Sequence, residues 1–506
     1  MKDIVLLVLG LAGNSQGVAR QSVEEATDSI KNILSLARGG DAAAQNEVGN
    51  WYYLGRHTDR NYDEAAQWWA RSAAQGNVTA IGNLGLCYQY GYGVEADSLK
   101  ATQLYLRSIK EGNLDLFGRQ EDLAREGSVF SDMLVAACYR TGTGVRKNPD
   151  KAIPFLEDAA SRGCVEAKMD LGMLYINSKR PEEAYRWFKE GAADENLTCM
   201  YYTAEMQIEG NGTEKNEKKG AEEMLAAARK GFPMAMYYVG KCYFDGIGMD
   251  ADPAEGLKWY KLGAARNALK AQWNLAQCLR EGKVGPVAYD QAIYWYGVAV
   301  SKGYRKSFQR LVCDSIPDSP FVAYLRGMKA LQTDNFSDAL KCFQAVSKAG
   351  VPAGKVMEAA VLLDPDNKAR DEKKGLKILK KAAEKDPTGM MMLGLFYQEG
   401  KFVKESPEEA LKYFEEAARL SYPPALCLLG DMYFSGEGVK ADVAKAVDYY
   451  AQAYACGQLT ASAAANYSSC FEEGLGGLTP DPKMAEEIRS ASRDPEIQTL
   501  FQLLPE

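Results

Sequence analysis

The chain has 506 residues, 46% of them hydrophobic and 25% charged, with 68 acidic and 60 basic side chains and a net charge of -8. That balance is ordinary for a globular protein, and no basic stretch is large enough to grip a nucleic-acid backbone. One histidine and 11 cysteines without a Cys-x-x-Cys pair lack the ligand patterns of a zinc site. No metal and no cofactor is expected.

In chain order, the first element is "MKDIVLLVLGLAGNSQGVARQS". It carries Lys2, an apolar run from Ile4 to Ala12, and Gly17 and Ala19 at the spacing of a cleavage site. This is the grammar of a secretory signal over residues 1–19. The run is too short to span a bilayer. Asp3 fits the other reading, a first buried element of the fold. Export to the periplasm or outside is favoured over a cytoplasmic location. The same stretch holds Gly13–Gly17, "GNSQG", the letters of a nucleophile elbow. An elbow needs a strand, a turn and a helix, with an acid and a histidine downstream. The single histidine, His57, falls inside the first repeat, so a serine hydrolase acting through Ser15 is a remote alternative. No catalytic residue is expected. Residues 20–40 read as an N-terminal capping helix.

From residue 41 a repeat begins. Segments such as "NYDEAAQWWARSAAQGN", "DPAEGLKWYKLGAARN" and "SPEEALKYFEEAARLS" share one grammar: a polar start, Ala or Gly four positions on, then an apolar or aromatic pair. Their leading residues are Asn61, Asp97, Asn148, Arg180, Asn216, Asp252, Ala288, Asn335, Asp371, Ser406, Asp442 and Asp481. Ten of these 12 are Asn, Asp or Ser, whose side-chain oxygens cap helix starts. Their commonest spacing is 36 residues. A second helix precedes each cap, with a large residue as its marker: Tyr52, Tyr88, Tyr139, Tyr175, Gln207, Tyr243, Leu279, Tyr397, Tyr433 and Phe471. Each unit is thus helix A, a loop, helix B and a turn, with the i, i+3, i+4 spacing of an amphipathic hairpin. In "GLCYQYGYGVEAD", Gly91 ends helix A and Asp97 starts helix B. The loop recurs in "FDGIGMDADP" and "FSGEGVKAD", so it is turn chemistry and not a phosphate or calcium loop.

These features resemble the Sel1-like repeat family, a relative of the tetratricopeptide repeat. The family pattern is nearly complete at Ala80–Gly112 and Ala235–Ala265. The resemblance implies an all-α fold, a right-handed α-solenoid of about twelve helix-turn-helix repeats of ~36 residues. Repeats of this kind are expected over 41–303 and 386–490. Between them, 304–385 reads as divergent tetratricopeptide-like hairpins with an insertion, "KSFQRLVCDSIPDSP" at 306–320. A second insertion, "LDLFGRQEDLAREG", lies at 114–127, and 491–506 is a C-terminal tail.

Cys87, Cys138, Cys242, Cys278 and Cys470 each precede a helix-A marker, in a column shared with Trp51, Leu174 and Met432. Such a column is an apolar packing slot. Unpaired thiols argue against an oxidising compartment. The pairs Trp68–Trp69, Trp187–Phe188, Trp259–Tyr260 and Trp295–Tyr296 recur at one position and read as interhelix core. The resemblance implies a non-catalytic scaffold or adaptor that binds protein segments. Helical geometry puts positions two and five before the marker, and two after it, opposite the core. Those columns are polar at Asn83, Glu205, Lys241, Gln277 and Asp431. They are apolar at Leu86, Tyr90, Leu134, Met173, Met392, Leu395 and Leu428, which are the expected partner-binding residues. Acids at Leu86 and Leu134 are accordingly expected to spare the fold. The alternative is an exported envelope protein binding glycan or peptidoglycan through Tyr90 and Trp273. The oligomeric state is open.

Overall fold

The computed structural model describes residues 23–314, 319–491, 497–502 and 504. The signal-like segment 1–19 and the Gly13–Gly17 motif lie outside the described residues. Among them all regular structure is helical. A single helix, Val23–Arg38, is followed by twelve helical hairpins, most of them built of 13-residue helices. Three helices stand outside the hairpins: Leu114–Arg125, Arg305–Asp314 and Ile497–Gln502. The chain divides into two units. The first is Met1–Thr203 with Asn211–Thr213; the second is Ala204–Gly210 with Glu214–Glu506.

The helix starts follow from side-chain chemistry. All ten Asn, Asp and Ser leaders accept a hydrogen bond from a backbone N–H in the first helical turn. Arg180 and Ala288 make no such bond. Helix A ends on a left-handed glycine in repeats with the long loop, as at Gly91 (φ 72°) and Gly246 (φ 67°). The second loop glycine has a different task. A methyl group at Gly93 would lie 2.2 Å from the carbonyl oxygen of Tyr62, at the start of the preceding helix B. The same holds at Gly212 against Pro181 (2.1 Å) and Gly248 against Glu217 (2.1 Å). In these three repeats the loop therefore docks onto the repeat before it.

Within a hairpin the two helices meet through one recurring contact. A glycine of helix A lies against the second ring of the helix-B pair. A methyl group would stand 2.5 Å from the ring at Gly49 (Trp69), 2.4 Å at Gly172 (Phe188), 2.5 Å at Gly240 (Tyr260) and 2.4 Å at Gly430 (Tyr450). Such distances are closer than carbon atoms approach, so only glycine lets the backbones come this near. Trp69, Phe188 and Tyr450 are fully buried. The first members, Trp68, Trp187 and Trp259, are only half-buried, with Arg71 and Arg186 lying over Trp68 and Trp187. The core assignment thus holds fully for the second ring of each pair.

The cysteine column is packing. Cys87, Cys138, Cys242, Cys278 and Cys470 are all buried and unpaired. Burial pushes the thiols of Cys87 and Cys138 up to about 12, which leaves them inert.

Two predictions follow from this packing. Gly394→Ala places a methyl 2.6 Å from the Phe414 ring and should cost about 1–3 kcal/mol in urea unfolding. Gly118→Ala, in a helix with open space around it, should instead gain about 0.5–1 kcal/mol. The second concerns Asp132, 1% exposed in the first unit: Oδ2 meets Arg162 at 3.4 Å, and Oδ1 has no partner among the described residues. Burial, helped by the nearby Asp158, pushes its carboxyl up to about 6. An unfolded aspartate titrates near ~3.9. The folded state therefore holds a proton that the unfolded state has lost, and stability falls as pH rises from about 4 through 6. Unfolding curves at pH 5 and pH 8 should differ by about 1–1.5 kcal/mol, a difference that Asp132→Asn largely removes.

Candidate interaction surfaces

Two of the expected partner-binding residues are core, which corrects the surface reading. Leu134 is 1% exposed because the inserted helix Leu114–Arg125 lies on it, contributing Leu116 and Phe117 to the same cluster. The 114–127 insertion is thus a packed helix that covers part of the helix-A face. Leu86 is 3% exposed, clustered with Tyr53, Trp69 and Ile81. Among the polar column residues Asn83 is also buried, donating to Asn46 and Asn50 at 3.2 and 3.4 Å.

The remaining column residues reach the surface. Tyr90 is 53% exposed and ends a ring ladder, 5.6 Å from Tyr92, which stacks on Tyr62 at 4.7 Å. Met173 is half-exposed beside Asp170, which pairs with Arg140. In the second unit Met392, Leu395 and Leu428 are half-exposed and rest on the core beneath them. Asp431, next in this face, accepts from Tyr450 (2.8 Å) and Asn466 (2.9 Å). Trp273 is spent on packing, 4.9 Å from Tyr296 and 5.2 Å from Tyr304. His57 sits exposed in the first loop, edge-on to Trp51 at 5.1 Å.

The second unit holds a feature that the sequence did not reveal: it closes on itself. Helix Val443–Ala455 packs against Pro253–Ala265. Gly457 follows it with φ 71°, and a methyl there would lie 2.9 Å from the Trp295 ring. Nearby, Thr388 donates to Asp290 at 3.2 Å, a contact spanning 98 residues, and the Tyr422 hydroxyl bonds the same carboxylate. Asp386 caps helix Pro387–Glu399 by accepting from Gly389 at 3.1 Å. Burial holds both carboxyls above the usual range, and each charge would oppose the other. Asp290, Asp386 and Thr388 line a cavity of about 200 Å³ with Leu257, Leu279 and Val287. No periodicity announces such a contact, because Asp290 and Tyr422 each look like ordinary repeat positions.

Paired helices, interlocked loops and a half-exposed helix-A face define an α-solenoid of the kind that holds proteins together. The family model described as "Sel1 repeat" matches eleven segments: 42–77, 79–113, 131–164, 165–196, 198–232, 233–267, 269–304, 364–387, 387–422, 423–458 and 461–487. These cover well over half of the chain, and the chain belongs to the Sel1 repeat family. The family's repeats mediate protein–protein interactions and are generally non-catalytic. An uncharacterized protein of Neisseria meningitidis serogroup B is 28% identical over 95 residues, 19% of this chain and 20% of that protein. The chain therefore matches about one fifth of the length of that curated relative. Two solved structures are similar in fold. One is a protective antigen of uropathogenic Escherichia coli with an SLR fold (22% identity, 94% of this chain and 93% of that chain, TM-score 0.37). The other is a Sel1 repeat protein of Oxalobacter formigenes (19% identity, 85% and 99%, TM-score 0.34). At such TM-scores these likenesses carry no further argument. Among the described residues no helix is long and apolar enough to cross a membrane.

Burial reverses the expectation for the two leucines. Leu86→Asp with Leu134→Asp should put two charges into the core of the first unit and cost more than about 5 kcal/mol. Circular dichroism should show lost helicity at temperatures where the parent chain is folded.

Proposed function

We propose that the chain is a non-catalytic scaffold that captures a segment of another protein along its helix-A faces. One observation carries this reading. The column two positions before the marker is half-exposed from Met173 onward and changes chemistry at each repeat: Met173, Glu205, Lys241, Gln277, Leu395, Asp431 and Ser469. The position immediately before it is buried and stays small throughout: Gly172, Ala204, Gly240, Ala276, Gly394, Gly430 and Ser468. A surface that varies over an unvarying frame suits recognition of an extended or helical segment, residue by residue. The apolar anchors are Tyr90 and Met173 in the first unit, and Met392, Leu395 and Leu428 in the second.

Export is the favoured location. The apolar run after Lys2 supports it, and the thiols oppose it less than their number suggests. Of the ten described cysteines seven are buried, and only Cys164, Cys342 and Cys456 are partly accessible. Buried thiols tolerate an oxidising compartment.

Site-specific photo-crosslinking in native-source cells tests the interface. A benzoylphenylalanine at Met173, Met392 or Leu395 should trap a discrete partner band at least tenfold more strongly than one at Gln103 or Lys412, exposed on helix B. Equal trapping on both helices would contradict the assignment.

A further inference from the structure

In the second unit, helix B of one hairpin normally packs onto helix A of the next. One junction breaks this rule. Helix B Tyr289–Ala299 continues through a π-helical turn, Val300–Tyr304, in which Gly303 departs from helical geometry (φ 112°), into the extra helix Arg305–Asp314. The insertion holds the backbones of Tyr289–Ala299 and the next helix A, Pro320–Leu331, apart. Only large rings reach across, with Tyr289 5.2 Å from Phe321 and 5.5 Å from Tyr324, and Tyr296 5.8 Å from Phe321. Phe308 and Val312 of the inserted helix are buried in the same apolar cluster as these rings, and a wedge remains between the two helices.

Helix Ile497–Gln502 and Leu504 fill that wedge. The helix contacts both Tyr289–Ala299 and Pro320–Leu331. Leu500, Phe501 and Leu504 are 0, 3 and 7% exposed and join the same apolar cluster, whereas Gln502 faces solvent. This segment belongs to no repeat. Six helical residues do not hold a helix in water, so its conformation depends on the wedge that receives it. The arrangement is that of a short peptide helix anchored in a groove through Leu500 and Phe501, with Leu504 beyond its end as a third anchor.

We propose that the wedge is a recognition slot for a short partner segment carrying Leu-Phe-x-x-Leu, and that Ile497–Leu504 is a resident occupant which a partner displaces. The resident segment is tethered through five residues to helix Pro482–Ala491, which gives it a high local concentration. A partner therefore competes only when it carries the same anchors or is held nearby by a second contact, such as the helix-A face. The site is distinct from that face and does not depend on it.

The test uses the full chain bearing Leu500→Asp and Phe501→Asp, and a fluorescent peptide with the sequence of residues 494–506. The peptide should bind this variant at least tenfold more tightly than the unaltered chain in fluorescence anisotropy, and a Phe501→Asp peptide should not bind. Equal affinity for both chains, or no binding to a variant whose helicity and melting are unchanged, overturns the proposal. Hydrogen exchange on the unaltered chain covers the case in which the variant unfolds. Amides of Thr499–Gln502 should exchange at least tenfold faster than those of Trp295–Val298. Equal protection would make the segment integral core and overturn the proposal. A doubled mass of the unaltered chain, abolished in the variant, would assign the slot to a second copy of this chain and overturn the outside partner.

Discussion

The frame of this molecule rests on the close approach of a small helix-A residue to helix B, made by a glycine against an aromatic ring in seven of the twelve hairpins. A ring lying flat on a bare backbone brings two 13-residue helices close along their length and buries the largest side chains of the hairpin. The chain keeps the contact by adjusting the loop. Where the long loop is present the partners are 20 residues apart, as in Gly49–Trp69, Gly240–Tyr260 and Gly430–Tyr450. Where it is missing they are 16 apart, as in Gly172–Phe188 and Gly327–Phe343. In those short hairpins the turn is made by non-glycine residues with positive φ, Lys179 (57°) and Asp334 (54°). Among these hairpins the loop varies and the contact is kept, so Gly327–Phe343, divergent in its loop, is regular in its core.

That constraint also sorts the surface from the interior. The helix-A position of that contact is held small, as Gly, Ala or Ser. Positions on the far side of helix A are free of it, and there the side chains differ from one repeat to the next. Added helices then decide how much of that free face remains open. Leu114–Arg125 takes part of it in the first unit, while in the second unit Arg305–Asp314 and Ile497–Gln502 fill the wedge between two hairpins. The Asp290, Thr388 and Tyr422 cluster pins distant repeats of the second unit together. A scaffold gains from such pins, because a fixed curvature leaves less ordering to be done when a partner docks.

The sequence carried most of the fold, since capping chemistry, left-handed glycines and aromatic pairs are local signals repeated many times. Leu134 shows where that reading stops. Its column position faces away from helix B, as helical geometry requires, but the covering helix comes from an insertion whose docking site no period specifies. Asp290 and Tyr422 show the same limit over a longer span: hydrogen bonds between residues so far apart in sequence leave no mark in either neighbourhood. Leu500 and Phe501, in what looks like a tail, are as deeply buried as any repeat position, because they pack against both Tyr289–Ala299 and Pro320–Leu331.

The most direct measurement is a double-mutant cycle on one glycine–ring pair, Gly430 and Tyr450, read by equilibrium urea unfolding. If the ring is what demands the glycine, Gly430→Ala destabilises the parent chain. In a Tyr450→Ala background it becomes stabilising by about 0.5–1 kcal/mol, the usual gain of alanine over glycine in a helix. An equal cost of Gly430→Ala in both backgrounds would show that the glycine serves some other contact, and that the ring does not set the frame on which the interaction surface is built.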